Sequence, residues 1–182
     1  MKIEKTPIEG LLIIEPRIFE DERGYFMESF HQERYREAGI FVDFIQDNES
    51  RSSRGVIRGL HYQLSPYSQG KLVRVIEGAV FDIALDLRPK SLTFGKWFGI
   101  ELSARNKKQF YVPRGFAHGF SVLSETAIFS YKCDHYYQPE AERGILYNDP
   151  ELGIDWRIPD NEAVVSDKDK KNALFRDAAL PL

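Results

Sequence analysis

The segment Leu72-Val-Arg-Val-Ile76-Glu-Gly-Ala-Val80-Phe-Asp-Ile-Ala-Leu-Asp-Leu87 contains two short apolar runs, Leu72–Ile76 and Val80–Leu87, divided by a glycine. Their length and their Val, Ile and Phe content are typical of β-strands. Similar runs lie on both sides and predict further strands at Leu11–Ile14, Tyr25–Phe30, Phe44–Gln46, Trp97–Leu102, Gln109–Val112 and Ala127–Tyr131. Many short strands separated by Gly, Pro, Asn and Asp predict a mainly β fold, either a sandwich or a barrel.

Helical signals are few. His31 to Ala38 contains helix-forming Glu, Arg and Gln and is followed by Gly39, so we expect one short helix there. The charged stretch from Asn161 to Ala178 predicts one or two more. The chain of 182 residues has no repeat and no linker, and residues 1–182 are therefore predicted to form one domain.

Composition excludes several classes of function. The formal net charge of -3 does not indicate binding to nucleic acid or to a membrane surface. Cys133 is the only cysteine, so no intrachain disulfide is possible and a cytoplasmic location is expected. Because Cys133 ends an apolar run, we interpret it as a core residue rather than a nucleophile. The apolar run at Leu11–Ile14 is too short for a signal peptide or a membrane span.

A local group of cations could bind an anion despite the negative net charge. It comprises Arg51, Arg54, Arg58, Lys71 and Arg74. A solvated basic face is an equally good interpretation of the same residues.

His61 is the strongest candidate for chemistry. It lies in Arg58-Gly59-Leu60-His61-Tyr62-Gln63, and Lys71 follows ten residues later. A His can take up a proton near neutral pH, and a nearby Lys can stabilise the negative charge that proton removal creates. Strand periodicity puts His61 and Gln63 on one face. A structural core His is the alternative, but the polar neighbours favour a functional residue.

A second histidine, His118, lies in Pro113-Arg-Gly-Phe-Ala-His118-Gly-Phe120, which we interpret as a turn. Many cupins bind a metal through two His on neighbouring strands, together with further ligands. The cupin pattern has His-x-His, however, and here Gln63 occupies the second His position. Lys71 lies near the place of the pattern's Glu, and a Lys repels a cation. We therefore predict that the site is metal-free.

Three other segments have a structural and a functional interpretation. Asp167-Lys168-Asp169 is either a solvated tail or supplies a carboxylate that folds back onto His61 and orients its ring. Tyr131 is either a packing residue or a general acid. Gln46-Asp47-Asn48 is either a turn or a polar trio that hydrogen-bonds a nucleotide base or a sugar.

Taken together, these motifs resemble the dTDP-4-dehydrorhamnose 3,5-epimerase family. The resemblance runs in order from about residue 3 to residue 170. It is carried by Phe19–Phe30, Gln46–Asn48, Gly55–Gln63, Gly70–Arg74, Pro113–Phe120 and Ser166–Asp169. Residues 170–182 form a tail without a clear family signature.

The resemblance implies a cupin-type jelly-roll barrel with a few short helices and no cofactor. It also implies a homodimer that exchanges its N-terminal segments. By position, His61 resembles the family's proton-abstracting base, Asp169 its partner, Tyr131 the proton donor and Lys71 the residue that faces the enolate. The positions that resemble the family's substrate-binding residues are Phe19, Arg23, Glu28, Gln46, Asp47, Asn48, Arg58, His118, Tyr137, Glu142 and Lys168, with Phe19 and Tyr137 placed against the thymine ring.

The activity implied by the resemblance is epimerisation at carbons 3 and 5 of a dTDP-linked 4-keto-6-deoxy sugar, in the synthesis of dTDP-L-rhamnose. Related enzymes that invert only carbon 3, or that act as 3,4-ketoisomerases on similar sugars, remain the alternatives. A metal-dependent cupin enzyme and a non-catalytic sugar-binding cupin are the other classes considered.

Overall fold

The computed structural model describes residues 1–181. Its single α-helix in these residues is α1 (Gln32–Glu37). Its strands are β1 (Lys2–Lys5), β2 (Leu12–Glu15), β3 (Ile18–Asp21), β4 (Gly24–Met27), β5 (Gln46–Ser53), β6 (Val56–Gln63), β7 (Lys71–Glu77), β8 (Ala79–Asp86), β9 (Trp97–Ser103), β10 (Gln109–Val112), β11 (Phe116–Val122), β12 (Thr126–Cys133), β13 (Glu142–Gly144) and β14 (Val164–Val165). Short 3-10 turns lie at Pro139–Ala141, Asp160–Glu162, Asp169–Lys171 and Phe175–Asp177.

The strands form two large sheets and one small hairpin. The first sheet has the order β1-β2-β10-β7-β12-β5, and the second has the order β13-β6-β11-β8-β9, with β14 added in parallel to β6. The two sheets remain separate in the described part of the chain, so the predicted jelly roll is an open sandwich rather than a closed barrel. β3 and β4 form the separate two-stranded hairpin.

Alternation along the strands divides the apolar residues among three clusters. One fills the space between the sheets and includes Val73, Val80, Ala84, Phe120 and Phe129. A second covers the outer face of the second sheet, where the C-terminal third packs through Leu152, Trp156 and Val165. A third lies under α1 on the outer face of the first sheet and includes Ile14, Tyr35 and Tyr111. β8 is thus covered on both faces, which explains its continuous apolar run.

Most predicted strands are confirmed, and the differences have physical reasons. The prediction of a turn at Pro113–Phe120 was wrong, because only Pro113 to Gly115 turns and β11 begins at Phe116. All seven residues of β11 are buried, so its sequence lacks the alternation of a half-exposed strand. Phe44–Gln46 was also misplaced, because the strand starts at Gln46 and continues to Ser53. β5 is the edge strand of its sheet and has a polar sequence, so it lacks the apolar residues by which the other strands were predicted.

The helical predictions are confirmed at α1 and shortened elsewhere. The stretch from Asn161 to Ala178 contains only 3-10 turns of three residues each. Cys133 is buried, in agreement with its prediction as a core residue, and burial raises the pKa of its thiol to about 11. In residues 1–181, no helix has the length and apolar character needed to cross a membrane.

Candidate active site

A β-bulge on β6 turns Arg58 and His61 toward the same side. Pairing with β11 matches His118 to His61 and Phe120 to Arg58, so three steps on β6 oppose two on β11. Simple alternation would place Arg58 and His61 on opposite faces. Gly59 lies in the bulge with φ of +129°, and a Cβ there would come 2.6 Å from Cα of Gly119. The close approach of these two backbones therefore requires glycine at position 59.

The imidazole of His61 is hydrogen-bonded to a buried carboxylate. Its Nε2 lies 2.6 Å from Oδ1 of Asp169, whose side chain is only 5% exposed. Burial raises the pKa of Asp169, but the hydrogen bond and charge of His61 and the Gly59 N–H outweigh it and hold that pKa below its usual value. An ionised carboxylate can only accept hydrogen bonds, so Nε2 of His61 carries the proton. Its other ring nitrogen, Nδ1, is then the basic one.

The C-terminal third places Asp169 beside His61. β14 pairs in parallel with the start of β6, and the chain then turns at Ser166, whose Oγ accepts the Asp169 N–H at 3.1 Å. Asp169 begins the 3-10 turn that follows. A carboxylate of this charged run, that of Asp169, therefore folds back onto His61, and its role in orienting the ring stays a prediction.

A cavity opens between the two sheets at His61. It is lined by Glu49, Ser50, Arg58, His61, Lys71, His118, Phe120, Phe129 and Tyr131. Five predicted site residues are thus brought together by four strands of the two sheets. β6 supplies Arg58 and His61, and β7, β11 and β12 supply Lys71, His118 and Tyr131.

Lys71 and Tyr131 lie on neighbouring strands of the first sheet. The Lys71 Nζ is 5.8 Å from the centre of the Tyr131 ring. Burial lowers the pKa of Lys71 and raises the pKa of Tyr131. Tyr131 therefore keeps its phenol proton at neutral pH, and the cavity holds a lysine amine and a potential proton donor beside each other.

His118 is hydrogen-bonded to an aspartate that none of the sequence motifs contains. Nε2 of His118 lies 2.9 Å and 3.0 Å from the two carboxylate oxygens of Asp82, which is fully buried on β8. Burial raises the pKa of Asp82. Asp82 interrupts the apolar run from Val80 to Leu87, and a charge in the middle of a strand buried on both faces was the signal that could have found it.

The side chain of Gln63, which stands at the second His position of the cupin pattern, is hydrogen-bonded to backbone groups. Its Nε2 donates to the Tyr67 carbonyl at 2.6 Å, and its Oε1 accepts the Gln138 N–H at 2.7 Å. It thereby fixes the loop that carries Tyr137. No group of three or more His, Cys, Asp or Glu side chains that could hold a metal occurs within residues 1–181.

A second group of predicted residues adjoins that loop. Oε2 of Glu142 accepts hydrogen bonds from the Tyr137 hydroxyl, at 2.7 Å, and from the Lys168 ammonium. Burial opposes ionisation of Glu142, yet these two donors keep its pKa below the usual value. Oε1 of Gln46 accepts the Tyr137 N–H at 2.9 Å. The side chains of Tyr137, Glu142 and Lys168 thus form one polar network at the start of β13, and Gln46 joins it through the Tyr137 backbone.

The polar trio Gln46-Asp47-Asn48 forms part of a strand and is divided by it. Gln46 and Asn48 share a face and are joined by a 3.0 Å hydrogen bond. Asp47 points the other way and pairs with Lys132 at 2.9 Å. The interpretation of the trio as a turn was wrong.

The predicted cation group is also divided. Arg58 and Lys71 line the cavity, whereas Arg74 faces a separate groove beside Asp47 and Lys132. Arg54 is exposed and lies 3.6 Å from a carboxylate oxygen of Glu162. The five residues therefore do not form a single anion site within this chain.

Three predicted substrate-binding residues lie at the β3–β4 hairpin and just after it, outside the cavity that His61 lines. Phe19 is 48% exposed and packs against Phe26 at 6.4 Å between ring centres. Arg23 is bound to Asp21 at 2.5 Å, and Glu28 to Arg34 at 2.7 Å. The hairpin is thus an exposed aromatic and charged projection of the chain.

Two facing antiparallel sheets with a histidine-lined cavity between them define a jelly roll of the cupin type. Comparison with known proteins narrows this class. The family model described as dTDP-4-dehydrorhamnose 3,5-epimerase matches residues 5–177. The chain belongs to this family, as the sequence motifs predicted.

Individual relatives resemble the chain over almost its whole length. The dTDP-4-dehydrorhamnose 3,5-epimerase of Shigella flexneri is 54% identical, with 98% of each chain covered. The crystal structure of the enzyme of the same name from Elizabethkingia anophelis is 55% identical and has a TM-score of 0.94, with 97% of each chain covered. That of dTDP-6-deoxy-D-glucose-3,5-epimerase from Legionella pneumophila, in complex with dTDP-4-keto-L-rhamnose, is 53% identical and has a TM-score of 0.95, covering 99% of this chain and 97% of that one.

Proposed function

We propose that this protein is an isomerase that inverts carbons 3 and 5 of dTDP-4-dehydro-6-deoxy-D-glucose and yields dTDP-4-dehydro-L-rhamnose. The keto group at carbon 4 acidifies the hydrogens on both neighbouring carbons. Removing one leaves an enolate, and returning a proton to the opposite face inverts that centre. No net oxidation occurs, so the reaction needs a base, an acid and a positive charge near the oxygen rather than a redox cofactor.

The observation that carries the proposal is the His61–Asp169 pair at a cavity shared with Lys71 and Tyr131. Asp169 holds the proton on Nε2, which leaves Nδ1 of His61 to take the substrate proton. Lys71 stabilises the enolate oxygen, and Tyr131 returns the proton from the other side. A placed general base contributes roughly 10²–10⁴-fold. A preorganised donor at the oxyanion contributes about 3–4 kcal/mol more.

The polar network around Glu142 is proposed to hold the nucleotide sugar. Tyr137 is 48% exposed, so the face of its ring is available for a thymine base, while Glu142, Lys168 and Gln46 fix its position. Arg58 donates to Ser52 at 3.1 Å and retains further N–H groups for the diphosphate. His118 and Asn48 complete the proposed set on this side of β5, whereas Asp47 faces the separate groove on the other side of the strand.

Phe19, Arg23 and Glu28 are proposed to act on the cavity of a second subunit. They lie outside the cavity that His61 lines in their own chain, and the hairpin exposes Phe19 at 48% and Phe26 at 70%. Such exposed aromatic surface is typical of a protein interface. A homodimer with exchanged N-terminal segments would account for both the exposed aromatic residues and their separation from the cavity. A cytoplasmic location remains a prediction.

The direct test is to incubate purified protein with dTDP-4-dehydro-6-deoxy-D-glucose and identify the product by proton NMR, with and without a chelator. We expect the L-lyxo 4-keto sugar in both samples. A product inverted only at carbon 3 would indicate a 3-epimerase, and a 3-keto sugar would indicate a ketoisomerase. Loss of activity with chelator would contradict the metal-free reaction, and no product would contradict the proposed function.

A further inference from the structure

The Asp82–His118 pair is a second histidine–carboxylate pair at the cavity, and the proposed chemistry above does not use its carboxylate. Asp82 lies opposite Phe120 in the β8–β11 ladder, so its side chain shares a face with that of His118, two residues away. Both Asp82 oxygens lie within 3.0 Å of one ring nitrogen. Asp82 makes no other side-chain hydrogen bond within residues 1–181.

The ring of His118 is held in one orientation. Phe129 stacks on it at 6.1 Å between ring centres and 25° between planes, and Phe120 stacks on Phe129 in turn at 4.2 Å. With Nε2 held by Asp82 behind it, the other ring nitrogen, Nδ1, is the polar atom left for the cavity that His118 lines. Because an isolated buried charge is costly, the pair is favourable when it is neutral as a whole, with one proton between Asp82 and Nε2 and a second proton on Nδ1.

Resting on the proposed function, we propose that Asp82 is a positioning residue that holds Nε2 of His118 and thereby presents Nδ1–H to the oxygen at carbon 4 of the keto sugar. His118 then acts beside Lys71 as a second donor to the enolate. Asp82 never touches the substrate. Its carboxyl group decides which ring nitrogen faces the cavity and keeps the pair neutral as a whole.

Steady-state kinetics of Asp82→Asn would test this role. We expect kcat to fall about 10- to 100-fold while KM changes less than threefold, since the donor matters most when the oxygen carries charge. Asp82→Glu, which keeps the carboxylate, should recover part of the loss. Asp86→Asn is the matched control, because Asp86 is equally buried on the same strand and binds Arg88, Ser91 and Thr93 instead. Equal kcat losses in the two Asn variants would overturn the proposal.

A spectroscopic measurement on the wild-type protein does not depend on a variant that folds. Nitrogen-15 NMR of the His118 ring, assigned with His118→Asn, should show a proton on Nδ1 at neutral pH, and Asp82→Asn should lose that proton. An unprotonated Nδ1 in the wild-type protein would overturn the proposal. If the wild-type protein did not epimerise the sugar, the proposed function would fail, whereas the ring spectrum would still decide whether Asp82 sets the state of His118.

Discussion

Nε2 of His61 and Oδ1 of Asp169 lie 2.6 Å apart, although 108 positions separate the two residues in the chain. The contact joins a strand of the second sheet to the C-terminal third, which reaches His61 by adding β14 to the same strand. The carboxylate is buried and the imidazole is partly open to the cavity, with 29% of its side chain exposed. The pair therefore has the geometry of a general base and its orienting partner.

Replacing Asp169 by Asn should lower kcat by about 10²-fold, because the amide can no longer hold Nε2–H of His61 as an anion would. Steady-state assays of the variant measure this. Asp167→Asn serves as control, because Asp167 belongs to the same charged run but has a side chain that is 93% exposed. Similar rates for Asp169→Asn and wild type would make the carboxylate a bystander.

The same contact should make stability depend on acid. The pKa of Asp169 is lower in the folded protein than in the unfolded chain, so its contribution to stability is present above a pH of about 4 and is lost as pH falls through the folded pKa. Urea unfolding from pH 7 to pH 3 should show the wild type losing its advantage over Asp169→Asn in this acid range. An advantage that stays constant down to pH 3 would contradict the linkage.

Gly59→Ala should destabilise the protein much more than Gly24→Ala. Both glycines have positive φ, +129° and +122°, so both variants are strained by about 1–3 kcal/mol. A Cβ at Gly24 meets nothing within 4 Å, whereas one at Gly59 lies 2.6 Å from backbone of β11. We expect an extra cost of at least ~2 kcal/mol at Gly59, read from chemical denaturation. Equal losses would mean that the β6–β11 approach is not tight.

Tyr131→Phe should separate proton removal from proton return. The base His61 is unchanged, so hydrogen exchange at carbon 3 should continue in deuterated water, while formation of the product inverted at carbon 5 falls about 10²-fold. Proton NMR of the reaction follows both. Tyr136→Phe, at an exposed position, is the control. Unchanged product and rate in Tyr131→Phe would remove Tyr131 from the mechanism.

The sequence predicted the strands whose residues alternate or run continuously apolar, together with His61, Lys71 and Tyr131 as a group. It could not predict the bulge at Gly59, because simple alternation separates Arg58 from His61 and only the pairing with β11 reunites them. It placed His118 in a turn, since a strand buried on both faces has no alternation to detect. The partner of Asp82 could not be predicted, because His118 lies on another strand.

Some residues that the sequence motifs assign to the site lie away from the cavity within a single chain. The spacing of Phe19, Arg23 and Glu28 identified them through a family pattern, yet the structure separates them from the cavity that His61 lines. They are separated from it because the β3–β4 hairpin projects from the two sheets as a separate, exposed unit. The spacing of residues in a motif does not predict where such a hairpin lies.

The most direct test of the central claim is the rate of deuterium incorporation at carbons 3 and 5 of the sugar, in deuterated water, by wild-type protein and by His61→Asn. His135→Asn controls for loss of a half-buried histidine outside the cavity. If His61 is the base, wild type and control label both carbons while His61→Asn labels neither and still unfolds cooperatively. Labelling of both carbons by His61→Asn at the wild-type rate would contradict the account.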